Sequence, residues 1–222
     1  MAEDGGTTFT AREQRNANPD RLLTFTDGVF AIIITILVLE IKVPDLGAGQ
    51  SLREVLSDIR PTFVAFIISF VLVGMYWVWH RSAFAQVRYV DLNTVWLNLL
   101  FLLPVAMIPF GTSMLGEHEG DATALHFYGG VLITATLFRT VLDRYLRRHP
   151  GLLWQTSDEQ ARRLGTVTAA APILVYGVAM LIADWVPTLS LLLYLALPLL
   201  YFGLVAFLKT DPRTRVAAED LS

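Results

Sequence analysis

The 222-residue chain is 54% hydrophobic, carries a net charge of −3 and has a mean hydropathy of +0.52. A water-soluble domain of this length does not need so many long apolar runs, so the composition points to a membrane protein. There is no cysteine, which excludes disulfides and thiolate metal sites, and the small net charge selects no class of partner.

Residues 1–20 are polar and read as a tail. No Ala-x-Ala site follows the first apolar run, so no cleavable signal peptide is expected. Six runs then lack Asp, Glu, Lys and Arg: 28–39, 63–79, 92–116, 122–138, 164–183 and 185–208. Five reach or approach the roughly 17–25 residues that a membrane span needs. The first is too short alone. It becomes a span only when counted from about residue 22 to 41, with Asp27 and Glu40 near its ends. A charged side chain at the bilayer centre costs about 2.5–3.5 kcal/mol on insertion scales, so this helix suits protein or water better than lipid.

Between the first two spans, Leu52, Leu56 and Ile59 recur at helical spacing and predict a short amphipathic helix within residues 43–60. Before the fifth span, Ser157-Asp158-Glu159-Gln160 reads as a capping box that starts a helix. Residues 210–222 form a second polar tail. Trp77, Trp79, Trp96, Trp154 and Trp185 mostly lie near span ends, as interfacial anchors do. No repeat or low-complexity tract is present. The expected fold class is all-α: an integral membrane protein with six transmembrane helices over residues 21–209, flanked by the two tails, with no P-loop filter.

Positive charge sets the expected orientation. Of the 17 Lys and Arg residues, all but Lys42, Arg53 and Arg60 precede span one, follow span six or fall in the segments after spans two and four. The positive-inside rule then places both termini in the cytoplasm and the chain in the cell membrane as a multi-pass protein. Catalytic signals are weak: there is no His-Glu-x-x-His, Gly-x-Ser-x-Gly, P-loop or Gly-x-Gly-x-x-Gly. The histidines His80, His118, His126 and His149 are scattered without metal-ligand spacing. No catalytic residue, metal site, cofactor, nucleic-acid partner or small-molecule substrate is expected. The filter sequence Thr-Val-Gly-Tyr-Gly is absent too, so ion selectivity would have to come from side chains or another backbone element.

The first helix carries the most information. At about 100° per residue, Phe25, Gly28, Ile32, Thr35, Ile36 and Leu39 share one stripe. One reading is a packing seam, with Gly28 permitting close approach. The other is that copies of the stripe surround a symmetry axis, so that branched aliphatic rings form a constriction gated by dewetting and Thr35 adds a ring of hydroxyls. Periodicity does not decide between them.

The run Arg21-x-x-x-Phe25-Thr26-Asp27, then Gly28-Val-Phe-Ala-Ile32 and Thr35-Ile-Leu-Val-Leu-Glu40-Ile, resembles the signature of the transmembrane protein 175 family, potassium-permeable channels of bacteria, archaea and animal endolysosomes. The usual pattern has Ser where this chain has Thr26, which keeps the hydroxyl. Tyr76-Trp77-x-x-His80-Arg81 and Leu97-Asn98-Leu-Leu-Phe101 with Pro104, Pro109 and Phe110 agree further. The match is strong in the first half of the chain and rests on span count in the second. The resemblance implies a homotetramer in the lipid bilayer, like the prokaryotic members, with the first helix of each subunit lining a central pore and K⁺ as permeant ion. It places the constriction at Ile32, Ile36 and Leu39, the selectivity layer at Thr35, and a bracing network of Arg21, Phe25, Thr26, Asp27, His80 and Asn98 at the cytoplasmic mouth.

Single residues keep alternatives. The candidate partners of Asp27 are Arg21, His80 and Asn98. Asp27 lies roughly 140° from Ile32 on a helix, which favours bracing over ion contact. Glu40 is either part of an outer acidic ring or a solvated helix end paired with Lys42. A secondary transporter or proton-coupled cation carrier using Asp27 or His80 as a coupling site is the alternative function, although Pro104 and Pro109 in span three have only a loose echo at Pro198 in span six.

Overall fold

The computed structural model describes residues 18–42, 51–154 and 159–210. Arg12, Arg15, Ser157, Asp158, Arg213 and Arg215, and most of both tails, lie outside the described residues. Helix α1 spans Asp20–Leu37 and runs into a 3₁₀ turn at Val38–Glu40; α2 is Leu52–Asp58, α3 Arg60–Phe84, α4 Leu92–Ala106, α5 Ile108–Glu117 and α6 Ala122–Arg148. A second 3₁₀ turn, Pro150–Leu152, precedes α7 (Glu159–Ile182) and α8 (Pro187–Thr210). No β-strand occurs among the described residues. Among the described residues four segments are long and apolar enough to cross a membrane: Asp20–Glu40, Arg60–Phe84, Leu92–Glu117 and Ala122–Arg148. Helices α7 and α8 are each 24 residues long.

The third apolar run is not one straight helix. It breaks at Met107, between α4 and α5. Pro109 has no N–H to give to the carbonyl of Val105, and its ring crowds that carbonyl. The chain responds with a tighter turn, in which the Met107 amide donates to Pro104 O at 3.0 Å before Gly111 resumes the α-pattern onto Met107 O at 3.1 Å.

The core lies where α3 and α6 meet their neighbours. Helix α6 packs on α4, α5 and α7, and α3 packs on α1, α5 and α8. Polar atoms inside lack water and must find protein partners. Tyr76 donates to Leu132 O (3.2 Å) and lies 3.0 Å from the Thr136 hydroxyl; Ser69 and Tyr128 are 2.7 Å apart; Tyr194 donates to Leu125 O at 2.9 Å. Only Tyr76 among these tyrosines stands out in the sequence, because a tyrosine in an apolar run reads simply as apolar bulk.

A second apolar cluster joins Leu22, Phe84, Val87, Leu142, Leu146 and Leu152 at one end of the bundle. There the backbone pairs Val87 with Leu153, and the Arg88 guanidinium lies 4.9 Å from the Tyr89 ring centre and 5.0 Å from that of Trp154. Trp96, Trp154 and Trp185 are exposed, as anchors are, but Trp77 and Trp79 pack against the core. The short helix expected in residues 43–60 exists as α2, capped by Ser51 and Glu54. Its buried residue is Val55, and Leu52 and Leu56 face outward. That orientation suits a helix lying at the lipid–water boundary rather than one closing over a core.

Candidate functional site

Helix α1 has two unlike faces. Leu22, Thr26, Phe30, Ile33 and Leu37, spaced by three and four residues, are buried against the bundle. On the other side Phe25 (51%), Ile32 (58%), Ile36 (38%) and Leu39 (69%) are open, together with Gly28 and Thr35. The stripe read from the sequence is therefore the uncovered face within one subunit. That face is wider than the stripe, since Thr24, Asp27, Ala31 and Val38 extend it on one flank. Ile34 packs partly buried against the core. The Thr35 hydroxyl donates back to its own helix, with Ala31 O at 3.0 Å and Ile32 O at 2.9 Å as acceptors. Its hydrogen is thus committed inward and its oxygen lone pairs are left for the open side.

The buried side of α1 is held by a three-residue relay. The Asn98 amide donates Nδ2–H to Thr26 Oγ1 at 2.8 Å, and its Oδ1 lies 2.9 Å from His80 Nε2. All three side chains have zero exposure. Because the Asn98 nitrogen serves Thr26, its oxygen must accept from His80, which assigns the proton to Nε2. Ring centres of Phe84 and Phe101 lie 4.3 and 6.2 Å from that of His80, both stacked. The relay joins α1, α3 and α4.

Asp27 belongs to a different arrangement. Its Oδ1 accepts from Trp77 Nε1 at 2.8 Å, and the Trp77 ring carries the Arg81 guanidinium 5.7 Å from its centre. Neither Arg21, His80 nor Asn98 is its hydrogen-bond partner among the described residues. Arg21 and Phe25 are exposed on the same helix and outside the relay. The six residues expected at the mouth therefore separate into a buried relay (Thr26, Asn98, His80), an exposed brace (Asp27 on Trp77) and two open side chains. Sequence reasoning missed Trp77 because a tryptophan near a span end reads as a lipid-interface anchor. The signal available was an unpaired carboxylate in a membrane helix, which calls for a donor nearby.

At the other end of α1, Glu40 is half-buried and lines a cavity of about 490 Å³ with Ile32, Ile36, Pro109 and Phe110. Lys42 pairs with Glu117 at 3.4 Å rather than with Glu40. Among the described residues no cluster of three His, Asp or Glu side chains is placed to hold a metal ion.

The model of a family described as "Endosomal/lysosomal potassium channel TMEM175" matches residues 21–109, which contain α1, the relay and the brace. A protein of Streptomyces collinus named as a potassium channel is 34% identical over 202 residues, covering 89% of this chain and 96% of that protein. The crystal structure of a protein of Chamaesiphon minutus, described as a lysosomal potassium-selective channel TMEM175 homolog, superposes with a TM-score of 0.70 at 28% identity, covering 83% of this chain and 96% of that one. A chicken protein named as an endosomal/lysosomal proton channel is 33% identical over 118 residues, but this chain spans only 24% of its length. The matched family and relatives are ion channels, not enzymes.

Proposed function

Because the chain belongs to the TMEM175 family, we propose that it is a potassium-permeable cation channel, a homotetramer in the cell membrane whose pore is lined by α1 of each subunit. Residues 21–209 form one unit of six transmembrane helices, with α4 and α5 as a single broken span and α7 and α8 as the fifth and sixth. Both tails lie in the cytoplasm.

The observation that carries this reading is the uncovered apolar stripe of α1. Of the four long apolar segments, the one holding α1 is the least buried in a single subunit: 28% of an apolar 18-residue stretch of it, against 39–50% for the others. Lipid is a poor cover for that face, because Arg21 and Asp27 are exposed at one end of it and half-buried Glu40 stands at the other. One subunit offers one such helix, and closing a ring around an axis requires several copies. In the tetramer Ile32, Ile36 and Leu39 form stacked aliphatic rings that exclude water when closed. Thr35 sits between the first two, and its outward lone pairs supply oxygen ligands for a cation that sheds hydration there. The relay and the Asp27–Trp77 brace fix the rotation of α1, so that the stripe and not its flank faces the axis.

The test is a bilayer recording of purified protein with K⁺ and Na⁺ on opposite sides, with the native mass of the same sample. Stepwise currents that reverse toward the K⁺ potential from a particle of four subunits are expected. A monomer, or flux that requires a counter-transported ion, overturns the reading.

A further inference from the structure

At one end of the bundle a cavity of about 390 Å³ opens between the starts of α3 and α8 and the turn from α5 to α6. Its floor is apolar, made by Ala65, Leu115 and Leu125, all buried. Its rim is polar, with Arg60, Glu119 and Thr188, all exposed. Helices α3, α6 and α8 begin at this end and α5 finishes here, so the cavity lies at the membrane boundary whichever way the chain is oriented.

Two features of the rim lack a structural reason. Arg60 is the first residue of α3, where the positive end of the helix dipole disfavours a cation. Neither Arg60 nor Glu119 forms an ion pair among the described residues. A cation and an anion with no ion-pair partner among the described residues thus share the rim of an apolar crevice at the end of the bundle. Residues that break a local rule without local compensation tend to mark function.

We propose that this cavity binds the headgroup of phosphatidylethanolamine, with the phosphate on Arg60 and the Thr188 hydroxyl and the ammonium on Glu119. The site takes one group of each charge and so complements a zwitterion. A phosphatidylglycerol would bring its negative charge to Arg60 but leave Glu119 without a cation. A phosphatidylcholine offers Glu119 a quaternary nitrogen with no N–H to donate. The volume lies within the roughly 300–1,000 Å³ of small-molecule sites, enough for a headgroup. The acyl chains leave along the α3 wall past Val64, which is 45% exposed. The site requires that the chain sits in a membrane, and is independent of whether α1 lines a pore.

Native mass spectrometry of the full-length protein, exchanged into equal amounts of phosphatidylethanolamine, phosphatidylglycerol and phosphatidylcholine, tests it. The wild type is expected to retain phosphatidylethanolamine preferentially. Arg60→Gln should retain it about tenfold less, the effect of losing one charge-assisted hydrogen bond, and Arg60→Lys should recover part of the loss. Glu119→Gln should abolish the preference over phosphatidylglycerol while leaving phosphatidylglycerol retention intact. Glu119 lies on an exposed turn, so the thermal midpoint of that variant should match the wild type and exclude misfolding as the cause. Equal retention of the three lipids by the wild type, retention of none, or an undiminished preference in Glu119→Gln overturns the proposal. Currents are recorded separately, so a protein that selects the lipid but carries no K⁺ would overturn the channel reading alone.

Discussion

The Asp27 carboxylate accepts a 2.8 Å hydrogen bond from the Trp77 indole, which pins the exposed side of α1 to α3. The partner is neutral, and Asp27 is exposed rather than sealed in the core. Removing it therefore does not leave an uncompensated buried charge, the case that costs about 3–5 kcal/mol. It removes one hydrogen bond to a charged group, worth about 1.5 kcal/mol or less at an open site. Asp27→Ala and Trp77→Phe should each lower stability by that amount. The double variant should cost little more than either single one, because both delete the same bond. Thermal unfolding of the four proteins in detergent checks this, and additive losses would dissolve the pairing.

Asn98 should be far less tolerant. Asn98→Ala leaves the Thr26 hydroxyl and the His80 N–H without partners in a fully buried place. Each orphaned group costs about 1–3 kcal/mol, so a loss of about 2–6 kcal/mol is expected, read as a lower thermal midpoint or as poor yield of folded protein. Thr26→Ser restores the hydroxyl found in the usual family pattern and should stay within about 1 kcal/mol of the wild type, the scale of a lost buried methyl. A mild Asn98→Ala variant would mean that the relay does not hold α1.

The ease of reading this chain differs along α1 itself. The stripe of Phe25, Ile32, Ile36 and Leu39 is a periodic signal carried by local spacing, and so was visible in sequence; that it is the open face, with Leu22, Thr26, Phe30, Ile33 and Leu37 buried, depends on packing. The break at Met107 was not read from the sequence, where 92–116 stood as one run, although Pro109 is its local cause. The partner of Asp27 was not visible, because it lies 50 positions away and its choice depends on how α1 rotates against α3. The same limit explains α2. Leu52 and Leu56 recur at helical spacing, but only the placement of Val55 in the bundle decides which side is covered.

Acid should loosen the helix ends. Burial raises the Asp91 carboxyl, but hydrogen bonds from the Thr94 hydroxyl, Tyr145 and the Thr94 amide outweigh it and hold the group below its ordinary value of 3.8. The amides of Ala124 and Thr123 lower Asp121 in the same way at the start of α6, and the Ser51 amide lowers Glu54 at α2. A carboxylate depressed in the folded state adds stability that is present above its unfolded value and is lost as pH falls through the folded value. The thermal midpoint should therefore be flat near neutral pH and fall below about pH 4, where these groups begin to protonate. Asp91→Asn should shrink that fall. An unchanged acid slope in this variant would remove Asp91 from the account.

The pore assignment is tested by comparing positions on one helix. Ile32 and Val38 are both open, at 58% and 52%, yet at about 100° per residue they lie some 120° apart around α1. Only Ile32 is on the stripe; Val38 is on the flank, which in the proposed tetramer would meet a neighbouring subunit. In the proposed tetramer, Ile32→Asn would place four amides where an aliphatic ring excludes water. An ion passing that ring must otherwise give up hydration with nothing in return. Larger currents are expected, with weaker discrimination of K⁺ from Na⁺, because a wetted gap lets both pass with their shells. Val38→Asn should leave conduction near the wild type and lower instead the fraction of protein that runs as a tetramer. Thr35→Ala removes the outward oxygens without changing the aliphatic rings, and so should reduce selectivity with little change in current amplitude. If Val38→Asn transforms the current and Ile32→Asn leaves it untouched, α1 is rotated relative to the axis, and the ring of Ile32, Ile36 and Leu39 is not the constriction.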